Sequence, residues 1–102
     1  MQRTDERRGH DRHVIQMPVN VSTDERRDRA GVMRDLSSTG MLFHSRSKFA
    51  IGERVTVLFK VAHRKGTSAG QVVRIETDDH PDNIFPFRTA VQFDAPLLDL
   101  PL

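Results

Sequence analysis

Two short polar motifs contain the residues of this sequence that are best suited to binding chemistry. Arg8-Gly9-His10-Asp11-Arg12 has the form RxxxR, and Asp35-Leu36-Ser37-Ser38-Thr39-Gly40 has the form DxSxxG. An arginine offers a planar fork of N–H donors that suits the edge of guanine or the oxygens of a phosphate. A carboxylate accepts N–H donors, a hydroxyl both donates and accepts, and a glycine allows a tight turn. Together these groups predict a site for a guanine base and a phosphate.

Composition narrows the class of protein. The chain has 102 residues, enough for one domain with a single modest core. Hydrophobic residues make up 36%, which is low for a globular domain but too high for a disordered chain. The absence of cysteine excludes disulfides, cysteine-based zinc sites and a thiol nucleophile. The five histidines show no metal-ligand spacing, so we expect neither a metal nor a cofactor.

Charge and targeting signals point to a cytoplasmic protein without a nucleic-acid partner. The net charge is +2, and the 14 acidic residues are interspersed among the 16 basic ones, which is weak support for DNA or RNA binding. No apolar run approaches the ~20 residues of a membrane span. Residues 1–13 are charged throughout and contain no apolar segment of the kind found in secretory signals.

Alternating apolar residues predict six short strands, at 14–21, 29–35, 41–45, 54–60, 69–75 and 87–93. Turn or loop residues separate them at 22–28, 36–40, 50–53, 66–68 and 77–83. This spacing, without a long helical period, is typical of a small all-β antiparallel barrel or sandwich. Closure into a barrel would leave no exposed edge strand.

The predicted organisation is a flexible N-terminal arm at 1–13, a β-domain at 14–94 and a short apolar tail at 95–102. The tail is too short for a stable free helix, and we expect it to cap one end of the domain or to contact a partner. Pro18 cannot donate a ladder hydrogen bond, which indicates a sheet edge or a bulge. Gly70 indicates either a bulge or a close backbone contact.

The span 8–93 resembles the PilZ domain, a bacterial family that binds the second messenger cyclic di-GMP. The two motifs have the family's order and separation, and further similar segments are found at 41–43, 52–55, 70–73 and 88–93. RxxxR alone carries almost no information in a chain with 13 arginines, but the combination is specific. The resemblance implies a six-stranded antiparallel β-barrel. Many members have a helix after the last strand, and the few residues after Phe93 predict that this helix is short or absent here.

The resemblance also implies roles for individual residues. Arg8 and Arg12 would clamp guanine or phosphate, and Asp35 and Ser37 would hydrogen-bond the base or a phosphate. Gly40 would supply a positive φ or let the backbone approach the ligand. The alternatives are a solvated basic tail for the arginines and a strand-end turn for Asp35 and Ser37, in which both side chains bond local backbone N–H groups.

The number of bound ligands stays open at this stage. Arg7 could reach a second, stacked molecule, because family members bind one or two cyclic di-GMP molecules, or it could be a solvated charge. Asp35, Ser37 and His44 include the residue types of a catalytic triad, but no oxyanion-hole signature accompanies them. We therefore expect no enzymatic activity.

The resulting hypothesis is a cyclic di-GMP receptor whose arm changes conformation on binding and that signals to a protein effector. One alternative is a PilZ-like interaction module that does not bind the nucleotide. A less favoured one is a small β-barrel that binds nucleic acid, which would need exposed aromatic side chains in a chain without Tyr or Trp. The leucines of the tail would suit a homodimer contact.

Overall fold

The computed structural model describes residues 12–61, 63–80 and 82–97, with side chains described from Met17 onward. Arg7 and Arg8 therefore lie outside the described residues. The six strands are β1 Arg12–Ser22, β2 Arg29–Ser37, β3 Gly40–Ser45, β4 Arg54–Val61, β5 Arg64–Thr77 and β6 Phe87–Phe93.

The strands form one closed barrel in the order β1-β2-β3-β6-β5-β4, and β4 returns to pair with β1. Every neighbouring pair is antiparallel. The predicted all-β, six-stranded antiparallel barrel is confirmed, and the residues described contain no helix. β1 begins at Arg12, two residues before the predicted strand.

The barrel interior is filled by apolar side chains that alternate along each strand. β4 is the clearest case, because all of its odd-numbered positions, Val55, Val57, Phe59 and Val61, are buried. On β6 the same alternation buries Val91 and Phe93, whereas Phe87 is only half-buried. Burying one such side chain contributes roughly 1.5–3 kcal/mol to the stability of the fold. Burial of these apolar stripes therefore accounts for the closure of the sheet into a barrel.

One end of the barrel is closed by Phe49, which lies in the connection between β3 and β4. It is 2% exposed, and its ring packs edge-on against Phe43 with a centroid separation of 5.9 Å. The guanidinium carbon of Arg26 lies 4.7 Å from the centre of the Phe49 ring, and Arg26 also donates to the Lys48 carbonyl. A cation is attracted to the face of an aromatic ring, so Arg26 covers the Phe49 ring, the plug of this barrel end, from outside.

The other end of the barrel holds the turn between β2 and β3. The Leu97 N–H donates to the Ser38 carbonyl at 2.7 Å, and the Leu97 side chain packs against the core. The Phe93 N–H donates to the Thr39 carbonyl at 2.9 Å. The DxSxxG turn is therefore tied by two backbone hydrogen bonds to β6 and to the segment that follows it.

One sequence-based expectation on the β4–β5 hairpin needs correction. The predicted turn at 66–68 is wrong, because these residues lie within β5 and the chain reverses near His63, which has a φ of 66°. Gly66 is required by packing instead, since a Cβ there would lie 2.6 Å from the Phe59 ring.

Gly70 was expected to mark either a bulge or a close backbone contact, and the close contact is confirmed. A Cβ at Gly70 would collide with the Gln92 carbonyl oxygen and lie 2.8 Å from Val91 Cγ1. The bulge of β5 is elsewhere, between Val72 and Arg74. Pro18 fits the edge alternative: it lies opposite Val32 of β2, but the pairing of β1 with β4 begins only at Val19. The irregularity of β1 lies before it, between Val14 and Met17.

Candidate ligand-binding face

A single cross-strand row on the outer face of the barrel links the DxSxxG motif to β5. Asp35 on β2 lies opposite Leu42 on β3, Leu42 lies opposite Ala90 on β6, and Ala90 lies opposite Arg74 on β5. Three strand spacings separate the ends of the row by about 14 Å. A carboxylate and a guanidinium thus flank a floor made by Leu42 and Ala90.

A bulge in β2 explains why Asp35 and Ser37 face outward. Met33 is buried opposite Phe43, and strict alternation from Met33 would turn Asp35 inward. The extra residue Arg34 shifts the register, so Leu36 enters the core while Asp35 and Ser37 stay half-exposed. Bulges often re-aim side chains beside functional sites, and this one does so for both polar residues of the motif.

The bulge in β5 has the same effect at the other end of the row. Val72 is buried, so strict alternation would place Arg74 inside the barrel. The register shift between Val72 and Arg74 leaves Val73 as the extra residue and turns Arg74 outward opposite Ala90. Asp35 and Arg74 each directly follow a bulge residue and face the same row.

A shallow cavity of about 180 Å³ occupies this row. Ligand pockets for drug-sized molecules are roughly 300–1,000 Å³, so the described residues form only part of a site for a larger ligand. Its lining comes from β2, β3, β5 and β6 and includes three predicted site residues: Asp35, Ser37 and Gly40.

The Ser37 side chain takes part in a local turn. The Thr39 N–H donates to Ser37 Oγ at 3.3 Å, and Ser37 Oγ lies 3.5 Å from the Gly40 carbonyl oxygen. The strand-end turn considered from sequence is therefore present at Ser37. These contacts are long, which leaves the hydroxyl able to exchange them for a ligand oxygen or nitrogen.

Gly40 does not have the positive φ that was one of its two expected roles, since Gly52 is the glycine with a positive φ among the described residues. The close approach of the neighbouring strand explains the glycine at this position instead. A Cβ at Gly40 would lie 2.5 Å from the Val91 carbonyl oxygen, closer than real contacts allow. Glycine lets β3 and β6 approach each other at the start of β3, beside the cavity.

The backbone of Arg12 joins this region through strand pairing. Arg12 opens β1 directly opposite Ser37, and Val14 lies opposite Asp35. The RxxxR motif thus ends alongside the DxSxxG motif. Arg7 and Arg8 precede the described part of the chain, and their roles stay predictions.

Arg74 is the residue that sequence reasoning missed. Glu76 lies between it and Arg88: Arg88 Nη1 donates to Glu76 Oε1 at 3.0 Å, and Arg74 Nε lies 4.0 Å from Glu76 Oε2. Glu76 is thus paired with Arg88 and lies at the limit of an ion-pair distance from Arg74. No motif marks Arg74, and its position on the same cross-strand row as Asp35 depends on the register of four strands.

His44 continues this network on the neighbouring row. Arg88 Nε donates to His44 Nε2 at 3.3 Å, which requires that nitrogen to be unprotonated. Partial burial, followed by the positive charges of Arg34 and Arg88, lowers the pKa of His44 below its ordinary value of 6.5, and the Asp78 carboxylate opposes this shift.

The lowered pKa gives a pH dependence of stability. The unfolded state takes up a proton near pH 6.5 while the folded state resists it, so the free energy of unfolding falls as the pH drops below 6.5 and levels off below the folded pKa. We expect His44→Gln to remove this contribution. The measurement is urea unfolding between about pH 7.5 and pH 5.5. His80→Gln, in the exposed β5–β6 loop, is the control, and an unchanged pH dependence in His44→Gln would contradict the assignment.

Two further features of the described residues bear on the class of site. Within the described parts of the chain, no group of acidic or histidine side chains is arranged to hold a metal ion. Among the same residues, no helix is long and apolar enough to cross a membrane.

Comparisons with known proteins agree with this architecture. The family model for the PilZ domain matches residues 6–99. The fold is similar to that of the Bacillus subtilis inhibitor of motility MotI/DgrA, with a TM-score of 0.69 and 14% identity over 85% of this chain and 42% of that one. It is also similar to the PilZ domain of Escherichia coli YcgR with c-di-GMP, with a TM-score of 0.54 and 17% identity over 88% and 77% of the two chains. The chain thus spans less than half of MotI/DgrA. No curated protein sequence matches it.

Proposed function

The chain belongs to the PilZ domain family, and on that basis we propose that it is a cyclic di-GMP receptor without enzymatic activity. The observation that carries the proposal is the outward row in which Asp35 and Arg74 flank a shallow cavity beside Ser37. The solved PilZ domain of YcgR with c-di-GMP supports the choice of ligand.

The proposed contacts follow from the chemistry of guanine. The Asp35 carboxylate accepts hydrogen bonds from the N1–H and 2-amino groups, an edge that is specific to guanine. Ser37 exchanges its local contacts for the base or a phosphate. Arg8 and Arg12 clamp guanine O6 and N7 or phosphate oxygens from the N-terminal side, and Arg7 contacts a second stacked ligand where two bind.

Arg74 adds a positive charge on the side of the cavity opposite Asp35. Its side chain is 61% exposed, and its carboxylate neighbour Glu76 is at the limit of an ion-pair distance. The guanidinium therefore keeps N–H donors for an incoming anion. In our proposal Asp35 selects the base and Arg74 holds a phosphate of the same molecule.

The proposed output is a change in the N-terminal arm, residues 1–13, when Arg7, Arg8 and Arg12 engage the ligand. A bacterial protein partner in the cytoplasm would respond to that change. A shift in the DxSxxG turn would also reach the C-terminal segment, because the carbonyls of Ser38 and Thr39 accept hydrogen bonds from Leu97 and Phe93.

Isothermal calorimetry tests the proposal. We expect cyclic di-GMP to bind more tightly than GTP or the linear GMP dinucleotide, and the titration gives the number of ligands per chain. Arg74→Gln should weaken binding about tenfold, since a hydrogen bond to a charged group contributes about 1.5–3 kcal/mol. Arg46→Gln, at an exposed arginine outside the cavity, is the matched control.

Absence of heat with all three nucleotides, in a protein that melts cooperatively, would refute the receptor function. The nucleotide-independent interaction module would then be the better account of the fold. Equal affinities of Arg74→Gln and wild type would remove Arg74 from the site but leave the receptor function standing.

A further inference from the structure

The tip of the β4–β5 hairpin is a basic segment that the proposed receptor function does not use. No Asp or Glu lies between Glu53 and Glu76 in the sequence. β4 pairs with β1 only as far as Phe59, and β5 pairs with β6 only from Gly70 onward. The part of the hairpin beyond these residues is therefore not hydrogen-bonded to β1 or β6, and Lys60, Arg64 and Lys65 are exposed on it.

The positive charges of this tip are not balanced within the described part of the chain. Lys60 lies directly opposite Lys65, an arrangement of like charges that destabilises a sheet. None of the three bases forms an ion pair there, whereas Arg54 at the other end of β4 is paired with Asp94. An external anion would relieve this repulsion.

An apolar side chain lies next to the basic tip. Leu58 is 44% exposed and precedes Lys60 on the same outward face of β4. It lies opposite Thr67 on β5 and Asn20 on β1, so its row is otherwise neutral and polar. Protein interfaces combine an apolar centre with a polar or charged rim in this way.

We propose that this face, defined by Leu58, Lys60, Arg64 and Lys65, binds an acidic surface of a partner protein. Leu58 contacts an apolar side chain of the partner, and the three bases contact the carboxylates around it. None of these four residues lines the cavity of the candidate ligand site, and the proposal does not depend on ligand binding.

The chemistry of the face separates this partner from other polyanions. Binding of single-stranded nucleic acid relies on stacking against exposed aromatics, and none of the phenylalanines described is exposed. Peripheral membrane binding requires large apolar side chains that insert beyond the basic ones, but Val61, the described apolar residue nearest the tip, is buried.

Fluorescence anisotropy with a labelled amphipathic helical peptide tests the proposal. The peptide has a leucine stripe flanked by glutamates, and a second peptide has glutamines in their place. We expect the full chain to bind the glutamate peptide and to lose affinity about tenfold in the triple variant Lys60→Gln, Arg64→Gln, Lys65→Gln. The matched triple variant Arg29→Gln, Arg46→Gln, Lys48→Gln removes the same charge elsewhere and should bind like wild type.

Two further measurements separate the classes of partner. Leu58→Ser should weaken binding of the glutamate peptide, which pure charge attraction would not require, and thermal melts confirm that each variant is folded. Equal binding of the glutamine peptide, equal losses in the two triple variants, or no binding at all would overturn the proposal. So would hairpin-dependent binding of duplex DNA or of phosphatidylserine vesicles that is tighter than binding of the peptide.

Discussion

Asp35→Ala is expected to bind cyclic di-GMP at least about a hundredfold more weakly than the unchanged chain. The carboxylate is the proposed acceptor for two guanine N–H groups, and each hydrogen bond to a charged group contributes about 1.5–3 kcal/mol. Alanine provides no acceptor, so both N–H groups would have to be solvated or left unpaired. Calorimetric titration of the two proteins at one salt concentration measures the difference.

The control for this experiment is Asp79→Ala, which removes the same charge from the exposed β5–β6 loop. It should leave the affinity unchanged, because Asp79 does not line the cavity. Melting temperatures of both variants show whether the barrel is intact. Wild-type affinity in a folded Asp35→Ala protein would place the base-recognition site elsewhere.

Phe49→Ala is expected to produce the largest loss of stability, about 3–5 kcal/mol in the free energy of unfolding. The substitution removes the ring that closes one end of the barrel, together with its edge-on contact to Phe43 and its contact with Arg26. A domain of this size has a total stability of about 5–15 kcal/mol, so a large part of it would be lost. Urea unfolding curves measure the change.

Ile51→Ala is the matched control in the same connection, since Ile51 is 69% exposed. It should change the free energy of unfolding by no more than about 0.5 kcal/mol. A Phe49→Ala protein as stable as Ile51→Ala would show that the barrel end does not depend on the plug. Arg26→Gln should give an intermediate loss, because the ring stays in place and only its cover is removed.

The architecture of the barrel could be anticipated from sequence because strand alternation is a local signal. Positions such as Val55, Val57 and Phe59 alternate with polar residues, and this predicts both the strand and its buried face. The turn at Ala50–Glu53 was predicted correctly as well: Gly52 has a φ of 90°, and the Glu53 N–H donates to the Ala50 carbonyl.

The parts that escaped prediction depend on contacts between distant segments. The sequence predicts Gly66 to be a turn residue because glycine is common in turns, but it lies in a strand against the Phe59 ring. Phe49 lies outside any alternating run, so its burial follows from the shape of the barrel end rather than from a pattern. Arg74 reaches the row of Asp35 only through two bulges, and a bulge has no sequence signature here.

The two motifs were located from sequence, but the geometry of the site was not. Asp35, Ser37 and Gly40 line one cavity, and Arg12 lies opposite Ser37 in the β1–β2 ladder. The reason for Gly40 was partly misjudged, since closeness to the Val91 carbonyl oxygen, and not a positive φ, requires it. Sequence spacing alone does not report how near two backbones come.

Closure of the sheet restricts how another protein can recognise this domain. Each described strand is hydrogen-bonded to a neighbour on both sides, which leaves no complete open edge to which a partner could add a strand of its own. A partner protein therefore has to recognise side chains on the outer surface of the barrel or at its two ends. Because such side chains can be changed without disturbing the ladders, ligand recognition and partner recognition should be separable by single surface substitutions in living cells.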